Sequence, residues 1–260
     1  MEDQTGSESL NDAASPMAAD AILAEAQRRM QLRAQPSSGS GGGRRWAIWL
    51  NRGVYALARH WLAVFNLLIG LYFAGAILAP LCLKVGWTGA GNMLYAFYDV
   101  SCHQYPFRSW FLFGERGAYP LTEPTSVVRM AQTMHFNGDA VTGYKMALCQ
   151  RDIAMYGAIV LFGLGYGVLR SQRTVRPLPL WQYFVFGVLP MALDGGIQWI
   201  SYALWMAFPA WISHPFETIP LMRALTGALF GWGLVAASYP HFEGYFNEII
   251  FTLRQRFGWA

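Results

Sequence analysis

The segment Trp61 to Leu83 is a run of 23 residues whose only strongly polar member is Asn66. A helix of that length rises about 34 Å, enough to cross a hydrocarbon core of about 30 Å. Few other structures suit so long an apolar run, because a helix satisfies its own backbone hydrogen bonds where lipid offers none. Ile153 to Leu169 adds 17 apolar residues and extends back to Cys149. Leu180 to Phe208 is longer, interrupted by Pro190 and Asp194. Ala224 to Tyr239 is shorter, but it follows Leu221 and Met222, and Arg223 can snorkel to an interface. The sequence therefore predicts an all-α polytopic membrane helix bundle with four spans, at 61–83, 149–169, 180–208 and 221–239. Composition agrees: 13% of residues are charged and 54% hydrophobic, where soluble domains carry about 25% charged residues.

Arginine sets the expected orientation. Arg44, Arg45, Arg52 and Arg59 precede the first span. Arg170, Arg173 and Arg176 fill the loop between the second and third. Arg254 and Arg256 lie near the C-terminus. With four spans all three groups share one side, so the positive-inside rule predicts cytoplasmic N- and C-termini in a multi-pass protein of the cell (inner) membrane. Residues 1–45 read as a disordered cytoplasmic tail rather than a signal peptide, with a short helix over Ala18–Arg33 as its one candidate element. Residues 46–240 form the membrane domain. Residues 241–260 read as an amphipathic helix lying on the inner leaflet.

The segment 84–148 falls on the opposite side and reads as a long irregular extracytoplasmic loop. Trp87 to Val100 is rich in aromatics and is expected at the interface as an amphipathic turn or helix. Thr125 to His135 reads as a short helix, and Asn137-Gly138-Asp139 as a turn. Small residues recur four apart at Gly70 and Ala74, Gly163 and Gly167, and Gly227 and Gly231, a spacing that lets helices approach closely within the bundle.

The chemistry concentrates in Ser101-Cys102-His103-Gln104-Tyr105-Pro106-Phe107-Arg108-Ser109 and in Cys149-Gln150-Arg151-Asp152. Both fall on the extracytoplasmic side. Cys102, His103, Cys149 and Asp152 form a candidate metal set, since thiolate and imidazole suit zinc or another transition metal. Cys102 and Cys149 equally suit a disulfide, or a thiol redox pair. Three cysteines exclude a disulfide scaffold. Arg108 and Arg151 present guanidinium forks to an anion or lipid head group. Within the third span, Asp194 and Gln198 share one helix face, and Arg223 is the nearest basic partner by sequence. His103 and His135 fall in the range where a histidine answers to pH. The chain's formal charge of +4 forms no basic stripe, so no nucleic-acid partner is expected and the lipid bilayer is the expected surrounding. No nucleotide loop, nucleophile elbow or metalloprotease motif is present, and no residue is assigned a catalytic role.

Taken in order, Cys102-His103-Gln104-x-Pro106-x-Arg108-Ser109, Cys149-x-Arg151, Pro190-Met191-Ala192-x-Asp194-Gly195-x-x-Gln198 and Arg223-x-x-Thr226-Gly227-x-x-x-Gly231 resemble a bacterial and archaeal family of integral membrane proteins. That family is catalogued as domain of unknown function 2085, and the likeness runs from about Trp61 to Tyr239. It implies a multi-span membrane protein. Many members carry Cys-x-Arg-Cys where this chain has Cys149-Gln150-Arg151-Asp152. The departure removes one thiol, leaves a carboxylate in its place, and leaves Cys102 and Cys149 as the one thiol pair of the motif. The expected function is an extracytoplasmic Cys/His/Arg/Asp site for metal binding or thiol redox chemistry. The rival is a non-catalytic accessory subunit or small transporter that uses Asp194 and Gln198.

Overall fold

The computed structural model describes residues 41–121, 136–212 and 214–259, together with Ala24, Glu25, Gln27 and Arg28. The disorder expected over most of the tail and the helix expected over 125–135 lie outside the described residues. Among the described residues, four helices are long and apolar enough to cross a membrane. They are α1 (Gly41–Lys84), α3 (Gln150–Gln172), α4 (Leu180–Ala207) and α5 (Pro220–Phe257). A shorter helix α2 (Thr88–Asp99) and a small antiparallel sheet stand between α1 and α3.

The chain divides into a unit of residues 1–52 and a unit of residues 53–260. In the first, the described part is the start of α1, where Asn51 donates to the Ala47 carbonyl at 2.8 Å. The second holds the rest of α1 and every other element. Its α1 portion bends at His60 (φ −114°, ψ 15°), one residue before the apolar run begins.

Three prolines sit inside helices, and each removes the N–H that would bond the carbonyl four residues back. At Pro240 the orphaned acceptor is Ala236, and the backbone N–H of Leu178, in the α3–α4 loop, donates to it at 2.9 Å. The helix therefore passes through Pro240 without ending. The separate C-terminal helix expected at 241–260 is instead the last part of α5. At Pro190 the orphaned carbonyl is Phe186, and the chain answers with a wider, π-helical turn over Phe184–Val188. The third proline is Pro80 in α1.

Helices α3 and α5 pack backbone to backbone. A Cβ at Gly227 would collide with the Arg151 carbonyl, and one at Gly231 with that of Met155. Gly163 faces Asn66 of α1, and Gly167 faces Leu62. The close approach expected of these two glycine pairs is present, whereas Gly70 has open space where a Cβ would be.

An aromatic layer of Trp61, Phe65, Tyr166, Tyr239, Phe242 and Phe246 ties α1, α3 and α5 together at one end. Arg170 lies 6.0 Å from the Trp61 ring and pairs with Glu243 at 2.5 Å. Aromatics and arginine together mark a membrane interface.

At the other end the described part of the loop expected to be irregular forms a cap of short elements. Helix α2 turns back along α1, with the Tyr98 hydroxyl donating to the Tyr72 carbonyl and Tyr95 and Tyr98 buried against Ala76 and Ala79. Its outer side stays apolar and exposed, at Met93, Phe97 and Val100. The sheet has the order β1-β3-β2, with β1 Ser109–Leu112, β2 Gly138–Asp139 and β3 Gly143–Cys149. Asp139 Oδ1 accepts the backbone N–H groups of Val141 and Thr142 at 2.9 and 2.7 Å, which closes the β2–β3 turn over residues 140–142, three residues beyond the expected place. Helix α2 was expected at Trp87 to Val100, whereas β1 and β2 escaped the sequence reading because they have only 4 and 2 residues. So short a strand shows no usable alternation.

Candidate functional site

Gln104 is the residue on which the cap turns. Its backbone is left-handed (φ 50°), rare without glycine. Its side chain is buried and donates to the Tyr95 carbonyl at 2.7 Å, and its own carbonyl accepts the Lys145 ammonium at 2.8 Å. That turn swings Cys102 inward toward β3. Burial pushes the Lys145 amine down to about 8.

The first turn of α3 then distributes its side chains in different directions. Gln150, fully buried, donates to the Ser109 carbonyl at 3.1 Å. Cys149, at the helix cap, donates to Asp152 Oδ2 at 3.1 Å. Arg151 turns to α4. The result is two polar centres that share one helical turn.

The first centre comprises Cys102, Cys149 and Asp152. Their two sulfurs and a carboxylate oxygen lie within 4.8 Å of one another. All three cysteines of the chain are free thiols. The interaction between the two neighbouring thiols holds Cys102 below its ordinary range and pushes Cys149 well above it, with burial adding to the rise at Cys149. His103, expected in the metal set, is not part of this centre. It is exposed, and its ring stacks parallel to Tyr105 at 5.9 Å. Adjacent residues in an extended turn point to opposite sides, so Cys102 and His103 diverge. Cys82 is buried in α1.

The second centre joins Arg108, Arg151, Asp194, Gln198, Glu217, Thr218 and Arg223. Arg151 pairs with Asp194, and Gln198 Nε2 donates to Asp194 Oδ1 at 3.1 Å. Thr226 reaches the other carboxylate oxygen at 3.4 Å. Arg223 pairs with Glu217 rather than with Asp194, the partner expected from sequence. Arg108 also pairs with Glu217, its Nε donating to Oε1 at 3.0 Å, and Tyr202 donates to the same oxygen at 2.5 Å. Thr218 Oγ1 links Gln198 (2.6 Å) and Arg223 (3.2 Å). Glu217, Thr218 and Tyr202 were missed in the sequence. One visible signal was an acid in the short loop between the third and fourth spans, three residues before the helix-starting Pro220.

Depth follows from helix rise. From Tyr239 in the aromatic layer to Arg223 is 239 − 223 = 16 residues of α5, or about 24 Å. The network therefore sits in the far part of a hydrocarbon core about 30 Å thick, below the end of α4. Asp194, midway along α4, is level with the first turns of α3 and α5, because α4 runs on past it to Ala207.

Comparison with known proteins supports the resemblance read from the sequence. Residues 136–237 match the family model described as Predicted membrane protein (DUF2085). An uncharacterized protein of the archaeon Methanocaldococcus jannaschii is 24% identical over 177 residues, covering 66% of this chain and 86% of that protein. No solved structure matches.

Proposed function

We propose that this chain, similar over residues 136–237 to those predicted membrane proteins, holds a soft divalent metal ion, zinc foremost, at Cys102, Cys149 and Asp152 on the extracytoplasmic face of the cell membrane. The observation that carries this reading is the convergence of three ligand atoms within 4.8 Å, drawn from the loop after α2, the end of β3 and the first turn of α3. Two thiolates and a carboxylate are a ligand set that zinc accepts, and three protein ligands would leave a fourth position for water or substrate. The arginines at the opposite ends of the spans favour cytoplasmic termini and so support this choice of face.

The contact between the two thiols supports a second reading, a dithiol–disulfide pair. The Cys102 thiolate would attack a partner's disulfide and release one partner thiolate. Cys149 would then displace the other partner sulfur, leaving Cys102–Cys149 oxidised. The transporter or accessory-subunit reading has less support, because both oxygens of Asp194 are engaged by Arg151, Gln198 and Thr226.

Metal analysis with thiol-state mass spectrometry on protein extracted in mild detergent separates the readings. About one equivalent of metal on free thiols, lost in Cys102→Ser and Cys149→Ser, is the expected result. A Cys102–Cys149 disulfide with no metal would overturn it in favour of the redox pair.

A further inference from the structure

We propose that the arginine network is a binding site for a phosphate group, entered from the outer leaflet. The network sets three guanidinium groups, Arg108, Arg151 and Arg223, against two carboxylates, Asp194 and Glu217. Its own groups thus leave one positive charge in excess. Asp152, the next acid along α3, is turned to Cys149. Arg223 is 2% exposed, so water does little to offset the surplus. The Nε of Arg151 is buried and has no hydrogen-bond partner.

The surplus faces open space. A cavity of about 280 Å³ is lined by Arg108, Arg151, Gln198, Tyr105 and Tyr202, with His103 and Trp199 also on its wall. Gly195 leaves room there, since a Cβ would stand 3.3 Å from Arg151 Nη1. The first turns of α3 and α5 carry Arg151 and Arg223, so two helix N-termini add their partial positive charge on the same level. Phosphate fits this chemistry because guanidinium groups form short charge-assisted hydrogen bonds to it, with the Tyr105 hydroxyl on the same wall to donate to a further oxygen.

Access is lateral. Trp199 on the cavity wall is 75% exposed. Trp199 belongs to the spanning helix α4, so its exposed ring faces the lipid around the bundle. A phosphate arriving there is carried on a lipid or diffuses in from the aqueous side, and the experiment distinguishes the two sources.

The full chain is reconstituted in nanodiscs of phosphatidylcholine with and without phosphatidylglycerol, and retained lipid is counted by native mass spectrometry. Inorganic phosphate is titrated as the competitor. The expected result is one phosphatidylglycerol held over phosphatidylcholine, with Arg108→Gln weakening retention at least ten-fold and Glu217→Gln strengthening it. A purely structural network would lose stability in both variants and shift retention in neither direction selectively. If inorganic phosphate alone binds and the lipid does not, the site stands and its source is aqueous. Should Arg108→Gln fail to fold, Gly195→Ala, which crowds Arg151 without changing charge, must weaken retention. Equal retention of the two lipids by wild type, with no effect of phosphate, would overturn the proposal.

Discussion

The thiol centre and the arginine network arise from the same turn of α3, yet they are finished to different degrees. In the network each carboxylate has an arginine, and three elements close around it: α4, the α4–α5 loop and the start of α5. In the thiol centre two sulfurs and a carboxylate face each other with one hydrogen bond of 3.1 Å between Cys149 and Asp152. The difference separates the ion pairs that hold the bundle from the groups that remain available to a ligand, the two thiols in one centre and the surplus guanidinium charge in the other. A buried ion pair that loses one partner strands the other charge, whereas a thiol that loses its neighbour remains a small apolar group.

The largest effect that would sharpen this contrast is expected at Asp194→Leu. It strands Arg151 and should cost roughly 3–5 kcal/mol, read as a drop in the thermal midpoint in detergent. The double variant Arg151→Met with Asp194→Leu should recover most of that loss. If the double variant is as unstable as the single, the pair is not the unit that holds α3 to α4. Gly227→Leu should follow, costing about 2 kcal/mol or more, because its side chain meets the backbone of α3 at Arg151. The same measurement checks it, and an unchanged midpoint would mean that the close α3–α5 contact contributes little.

Cys102→Ser and Cys149→Ser should behave in the opposite way, with metal affinity reduced by more than the roughly 10–100-fold typical of an outer-shell loss and a midpoint near wild type in the metal-free state. Equal destabilisation by serine and by Asp194→Leu would erase the distinction between the two centres. Lys145 gives a smaller, pH-dependent effect. Its amine titrates at about 8 in the folded cap, against about 10.4 in an unfolded chain. The unfolded chain therefore binds more protons between those values, and stability should rise as pH increases from about 8 to 10.4. Lys145→Met should flatten that rise in a series of melts. The smallest effect belongs to His103→Ala, expected to leave metal content unchanged and stability within about 0.5 kcal/mol. Loss of metal there would return the imidazole to the ligand set.

Much of the site is legible in the sequence. Cys102, Cys149, Asp152, Arg151, Asp194 and Gln198 stand out because polar groups are costly in apolar sequence. Their pairing was not legible. Arg223 was matched to Asp194 by nearness in sequence, but the first turns of α3 and α5 meet α4 at its middle, so Arg151 reaches Asp194 first. Glu217 lay hidden as an ordinary loop acid. His103 was grouped with Cys102 as its neighbour, although the chain reverses at Gln104 and sends the two apart.

Sequence by itself determined the four spans, because hydrocarbon demands about twenty apolar residues in a row and so writes its requirement locally. It determined the close helix contacts at Gly227 and Gly231 for the same reason: a missing side chain is visible in one letter. Tertiary structure alone decided the cap, the continuation of α5 through Pro240 and the arrangement of the charges. The Leu178 N–H that rescues the Ala236 carbonyl lies 236 − 178 = 58 residues away, and Arg108 meets Glu217 across 109. Interactions of that range depend on how the helices are placed against one another, which no local pattern records.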